Sequence, residues 1–237
     1  MDLITTATAP DETTRAAQVA VLPVGSFEQH GDHLPLVTDT VVACAIAQEL
    51  ASTYDLFLLP PVTISCSHEH AAWPGTVSIR STTLAAIIAD VVHSLDQAGV
   101  GKLVLVNGHG GNYVLSNVVQ ESNVGRRRLA LYPGRHDWDA ARVAAGLTSS
   151  GHDDMHAGEL ETSVLLHACP ELVRAGYQAA DHVTERPHLL VLGMRGYTAS
   201  GVIGQPSLAT PAKGQAVVDS LTSSFASTLA ILTDDSK

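Results

Sequence analysis

The chain has 237 residues, 45% hydrophobic and 16% charged, with a formal net charge of −11. That is chain and apolar content enough for one packed core, and it is not the composition of a disordered segment. The acidic balance argues against an extended nucleic-acid interface, which needs clustered Lys and Arg, and an aromatic content of 4% argues against a stacking platform for bases or sugars.

Residues 1–17 are polar and acidic, have neither the basic start nor the apolar stretch of a signal peptide, and are expected to be irregular. Residues 18–24 (QVAVLPV) are a mostly apolar run stopped at Gly25 and predict a buried strand. Thr38-Asp39 supplies a helix-start signal before TVVACAIAQEL. Residues 56–59 predict a second strand, halted by Pro60-Pro61. Residues 82–98 predict a long helix ending at Gly99. Residues 102–106 (KLVLV) predict a third strand, 113–124 a helix and 129–132 a fourth strand. Helices are expected over 135–145, 158–168 and 211–232. Residues 184–204 fit no regular element and are expected to pass over the functional site or to make a subunit contact.

Strands alternating with helices predict βαβ units, hence an α/β chain with a mostly parallel sheet flanked by helices on both faces. No linker or repeat divides the sequence, so 1–237 is expected to be a single domain. No apolar run approaches the ~20 residues that span a bilayer. Arg126-Arg127-Arg128 reads as a solvated helix end. Three cysteines without paired spacing make a disulfide framework unexpected, and Cys44 and Cys169 lie in apolar helical patterns. These features point to a cytoplasmic protein with neither membrane nor nucleic-acid partner.

The 12 histidines gather beside Glu, Asp and Gly. The densest block is GSFEQHGDHLPLVTD, residues 25–39. If the strand continues through Glu28-Gln29-His30, then Glu28 and His30 face the same way, because side chains alternate with period two. A Gly/Pro-containing loop then returns Asp39, whose carboxylate could bridge two ions. Mixed oxygen and nitrogen donors suit Zn, Mn or Fe(II); the plain alternative is an acidic loop at a helix entrance. The second block, NGHGGN at 107–112, projects His109 from a strand end. It matches neither G-x-G-x-x-G nor the P-loop pattern, which favours a metal ligand over a phosphate cradle. The third, HDDMHAGELETS at 152–163, sets His156 just before a helix with Glu159 and Glu161 in its first turn. Those acids could complement the helix dipole, or one could complete a metal shell with His156 as general acid/base. No G-x-S-x-G elbow exists, and no Cys lies in an electropositive loop.

At these residues the chain resembles the creatininase (creatinine amidohydrolase) family. Residues 25–39 are similar to its G-S-x-E-Q-H-G-x-H-L-P-L-x-T-D block, 107–112 to N-G-H-G-G-N, 156–163 to H-A-G-x-x-E-T-S and 69–78 to E-H-x-x-x-P-G-T-x-S. The resemblance implies a three-layer α/β sandwich, a homohexamer, two divalent metals per chain and hydrolysis of cyclic or linear amide C–N bonds. It implies Glu28 and His109 on one metal, His30 on the other, Asp39 between them, His156 in proton transfer and Ser78 in substrate contact. Creatininase supplies a further glutamate two residues after the histidine of its glycine-rich loop. Here that position is Gly111, and Glu161, or alternatively Glu159, is the candidate replacement. Asp32 also departs from the family's usual proline. The glycine-rich loop and GVIGQP at 201–206 are more similar to the mycofactocin-system peptidase branch than to strict creatininase. A small-molecule or short-peptide substrate follows from this; a non-catalytic metal-binding assembly protein is the reading from another class.

Overall fold

The computed structural model describes residues 4–234. Its strands β1 (Val19–Val24), β2 (Phe57–Leu58), β3 (Lys102–Asn107) and β4 (Leu129–Tyr132) form one sheet in the order β2-β1-β3-β4. All pairings are parallel, with Val19 opposite Lys102 and Val24 opposite Asn107. Eight α-helices accompany it among the described residues: α1 (Ala9–Arg15), α2 (Thr38–Tyr54), α3 (Ser81–Gln97), α4 (Val114–Ser122), α5 (Arg135–Ala144), α6 (Glu159–Ala168), α7 (Leu189–Leu192) and α8 (Pro211–Thr233).

The continuous apolar runs of β1 and β3 are explained by burial on both faces. Val19, Val21, Val104 and Val106 meet Ile46 of α2, Val164 of α6 and Phe225 of α8. The alternate residues Ala20, Leu22, Leu103 and Leu105 meet Leu84 and Ile88 of α3 and Leu115 of α4. The result is the expected three-layer sandwich. Each fully buried Leu or Ile contributes about 1.5–3 kcal/mol relative to exposure, so the two cores sandwich β1 and β3 and make their carboxyl ends a rigid platform.

The chain leaves β1 for β2 on one side and reaches β3 on the other. The loops after β1 and β3 therefore diverge, and the crevice between them is where ligands bind in sheets of this kind. Gly25 and Gly108 end those strands. A Cβ on Gly25 would lie 2.4 Å from the Thr40 backbone, and one on Gly108 would lie 2.3 Å from Asp39 O. Their missing side chains let the amino end of α2 press against both strand ends.

Several expectations change. Residues 9–15, expected to be irregular, form α1, because Thr8 and Asp11 cap its start and Arg15 Nη1 donates to Leu56 O at 3.0 Å. The second strand shrinks to Phe57–Leu58. The strand does not continue through Glu28 and His30: β1 ends at Val24, and the next turn is tied by Glu28 N donating to Leu36 O. Thr38-Asp39 does not precede α2 but begins it, since the Asp39 carboxylate is drawn to the site rather than to its own helix amides. The run Arg126–Arg128 lies past the end of α4, with Arg126 and Arg128 on Asp96 and Arg127 on Asp234. Cys44, Cys66 and Cys169 are all buried. By length and composition α8 passes for a membrane span, with a mean hydropathy of 1.3 over its most apolar window. Here its Val217, Leu221 and Phe225 pack into the core.

Candidate metal centre

Three segments converge in the crevice: the loop after β1 with the first turn of α2, the loop after β3, and the approach to α6 with that helix's first turn. They bring together Glu28, His30, Asp39, His109, His156 and Glu161, five of them buried and Glu161 half-buried. Their donor atoms form three overlapping groups, each within 4.8 Å: Glu28–Asp39–His109, His30–Asp39–Glu161 and Glu28–His30–His156. Asp39 joins the first two. Its Oδ2 lies 3.1 Å from His109 Nδ1 and its Oδ1 lies 3.1 Å from His30 Nε2. Glu28 Oε1 lies 3.3 Å from His109 Nδ1, and Glu161 Oε2 lies 3.8 Å from His30 Nε2.

Each imidazole has one nitrogen committed to the backbone. His109 Nε2 donates to Cys66 O (2.9 Å), His30 Nδ1 to Glu28 O (3.1 Å) and His156 Nε2 to Gln29 O (2.7 Å). That orients the rings and turns the other nitrogen of each toward the carboxylates, the usual support of a ligating histidine. Asp39 Oδ2 also accepts from Ser26 Oγ at 2.5 Å. Neither oxygen of the fully buried Glu28 has a hydrogen-bond partner among the described residues. Leaving a buried carboxylate so is costly unless a cation takes the place of donors. Donors sharing an ion at about 2.1 Å stand roughly 3.0–3.4 Å apart for octahedral or tetrahedral angles, close to the 3.1–3.3 Å observed in the first triad. The residues therefore fit divalent cations.

The electrostatics agree. Burial drives the Glu28 carboxyl up, against the attraction of His109. Burial opposes ionisation of Asp39, but His30 and His109 hold it well below the usual carboxylate range. Burial would lower His30, yet Asp39 carries it to about 9, and Glu28 and Asp39 likewise outweigh burial and raise His109. Burial beside Asp39 lifts Glu161 to about 8. Protons on these imidazoles stand in for positive charge that the carboxylates demand. His156 differs: burial, then His30 and His70, hold it well below the usual histidine value, so it is neutral.

The two glutamates of α6 part company. Glu161 faces the cluster and accepts from Ala157 N at 2.6 Å. Glu159 is fully buried away from it, accepting from Ser149 N at 2.9 Å, from Thr148 N and from Lys213 Nζ of α8. A larger residue at 111 would have to displace its surroundings, since a Cβ there would lie 2.4 Å from His109 Nε2 and 2.8 Å from the backbone Cys66 O. Ser78 stands apart. Its segment is pinned by Val77 N to Phe27 O and Ile79 N to Ser65 O, and its Oγ is buried without a hydrogen-bond partner among the described residues.

Two contributors were not singled out in the sequence. His70 is buried, with Nε2 3.2 Å from Glu28 Oε1 and Nδ1 accepting from Gln29 Nε2 at 2.9 Å. Gln29 Nε2 also donates to Gly201 O at 3.1 Å. The E-H-x-x-x-P-G-T-x-S resemblance was the available signal for His70. Residues 184–204 do pass over the site. Ile203 exchanges backbone hydrogen bonds with His156, and Arg186 lines a cavity of about 690 Å³ that also reaches His109 and Glu161.

The Creatininase family, described as creatinine amidohydrolase, matches residues 4–229. The chain belongs to the creatininase family. A mycofactocin precursor peptide peptidase of Mycolicibacterium smegmatis is 34% identical over 209 residues, covering 84% of this chain and 79% of the relative. A creatinine amidohydrolase of Pseudomonas putida is 29% identical over 174 residues, covering 65% and 66%. A crystal structure of creatininase superposes with a TM-score of 0.80 at 24% identity over 95% of each chain, which shows the shared fold. This creatininase-family chain is thus a hydrolase acting on C–N bonds.

Proposed function

We propose that this creatininase-family hydrolase is metal-dependent, with two divalent ions per chain. Glu28, Asp39 and His109 would hold one, and His30, Asp39 and Glu161 the other. The observation that carries this reading is the pair of donor triads sharing Asp39, together with the buried, unpartnered carboxylate of Glu28. Zn, Mn or Fe(II) suits such a set of carboxylates and imidazoles. Solved creatininases of the same fold are described as Zn-Zn type and Mn forms.

When bound, the ions would supply Lewis acidity toward the amide carbonyl and a water of lowered pKa. The chain's own residues do the remainder. Ser26 and the first turn of α2 fix the Asp39 carboxylate between the triads. His70, anchored by Gln29, sets its Nε2 3.2 Å from Glu28 Oε1 and packs beside that carboxylate. His156 is neutral, with its proton at Nε2 and its Nδ1 lone pair 3.7 Å from Glu28 Oε1. It can take a proton at Nδ1 and return it to the leaving nitrogen. The same Nδ1 belongs to a group with Glu28 and His30. That favours a second reading in which His156 is itself a ligand. Ser78 is proposed as a substrate contact on resemblance.

A short peptide is the favoured substrate class, supported by 34% identity to a mycofactocin precursor peptide peptidase; a small amide is the alternative. Leu190 and Val191 of α7 are exposed and support a subunit contact in a homo-oligomer, a hexamer by resemblance, in the cytoplasm. Metal content per chain, measured on wild type and Asp39→Ala purified without chelator, tests the centre. Close to two ions, lost in the variant together with hydrolysis of a peptide and amide panel, is the expected result. Full metal without any turnover would leave the assembly-protein reading instead. His156→Ala should keep the metal and lose turnover; loss of metal would make His156 a ligand.

A further inference from the structure

We infer that the cavity beside the triads is a carboxylate-binding subsite built on Arg186, with Arg135 at its rim. The inference rests on the hydrolase reading and specifies its substrate: a peptide or amide bearing a free carboxylate near the scissile bond. The cavity, about 690 Å³, is lined at one end by His109 and Glu161 and elsewhere by Arg135, Arg142, Asp139 and Arg186. A group held there lies next to the reacting centre.

The three arginines are not equivalent. Arg142 is committed: its Nη2 donates to Asp154 Oδ2 at 2.6 Å and its Nη1 to Ser149 O at 3.1 Å. Arg135 and Arg186 pair with no carboxylate among the described residues. Arg186 is half-buried, and its Nη1 is fully buried with no hydrogen-bond partner among the described residues. In a chain with a net charge of −11, an unpaired guanidinium whose nitrogen is shut off from water is a cost that folding alone does not repay. A planar carboxylate would accept from the fork in the geometry that arginine favours.

The charge of the lining selects the kind of anion. Asp139 and Glu161 face the same space. A phosphate dianion would meet both, whereas a monoanionic carboxylate places one negative charge on Arg186, with Arg135 balancing the rim. The segment carrying Arg186 is the one that crosses the site, where Ile203 exchanges hydrogen bonds with His156. Substrate recognition and the proton carrier are thus joined through one stretch of chain.

Isothermal titration of glutarate into the protein as purified, with glutaramide as the neutral control, tests this. Wild type should bind glutarate in preference to glutaramide. Arg186→Ala should weaken glutarate on the order of tenfold or more, as expected for losing charge-assisted hydrogen bonds. Arg186→Gln, which preserves bulk, should do the same with an unchanged melting temperature. Arg135→Ala should weaken binding less and reduce its salt dependence. Glutarate affinity that is the same in Arg186→Ala and wild type would mean capture by bound ions alone and would overturn the subsite, as would no preference over glutaramide. Metal content on the same samples separates the two readings. Arg186-dependent binding without metal would keep the subsite and sink the hydrolytic centre, and full metal with Arg186-independent binding would do the reverse.

Discussion

The two glutamates of α6 give the sharpest contrast between a structural carboxylate and a proposed metal ligand. Glu159 is fully buried and accepts from Ser149 N and Oγ, Thr148 N and Lys213 Nζ, tying α6 and the loop before it to the first turn of α8. Removing one partner of a buried pair costs about 3–5 kcal/mol, because the other charge is left without compensation. Total stabilities are about 5–15 kcal/mol, so Glu159→Ala forfeits a large share. At about 2–4 °C per kcal/mol for chains of this length, its melting temperature should fall by roughly 6–20 °C. Glu161→Ala instead removes a charge that burial already disfavours, so it should leave the melting temperature of chelator-treated protein nearly unchanged or raise it, while removing one of the two proposed ions. The pH dependence separates them further. Burial alone would raise the Glu159 carboxyl, but Lys213, Ser149 and Thr148 hold it below its ordinary value. Its contribution is therefore present above the unfolded carboxylate range and is lost as pH falls through the lowered folded value. The gap between wild type and Glu159→Ala should be full near neutrality and close on acidification. Thermal unfolding from pH 3 to 8 beside elemental analysis reads both effects. If Glu159→Ala melted like wild type, or lost the metal while Glu161→Ala kept it, the assignment of the two carboxylates would be wrong.

Other outcomes follow from the same geometry. His30 is held near 9 and His109 above the ordinary histidine value, so at pH 7 metal-free protein carries protons that Zn or Mn must displace. Calorimetric titration in two buffers of different ionisation enthalpy should reveal net proton release, and affinity should fall with pH; identical heats in both buffers would refute it. Gly25→Ala drives a Cβ to 2.4 Å from the Thr40 backbone, which should cost about 1–3 kcal/mol or more and lower metal occupancy by displacing Asp39; denaturant unfolding at unchanged metal content would count against this. His70→Phe should keep the packing but weaken metal binding or activity about 10–100-fold, as for other groups that orient a ligand; equal metal affinity in a competition with a chromogenic chelator would remove His70 from that role.

Much of this protein is determined by sequence that is local in effect. The runs VAVLPV and KLVLVN are apolar without alternation, which requires a strand covered on both faces, and the α/β reading follows from helices between such strands. The donor types and the blocks holding Glu28, His30, Asp39 and His109 are likewise visible as clusters, because chemistry at a strand end needs its residues close in sequence to that end. What only the tertiary structure decided is which groups meet across long separations. Glu159 and Glu161 are two residues apart and equally acidic, yet the rotation of α6 against α8 sends one to Lys213 and the other to His30. His70 reaches Glu28 from a different loop, and Arg186 reaches the cavity from a segment with no periodicity to read. Asp39 looks like a helix-start residue in the sequence. Its real partners, Ser26, His30 and His109, are set by how closely α2 packs on the glycines ending β1 and β3, and such close packing is a property of the assembled layers and of no single segment.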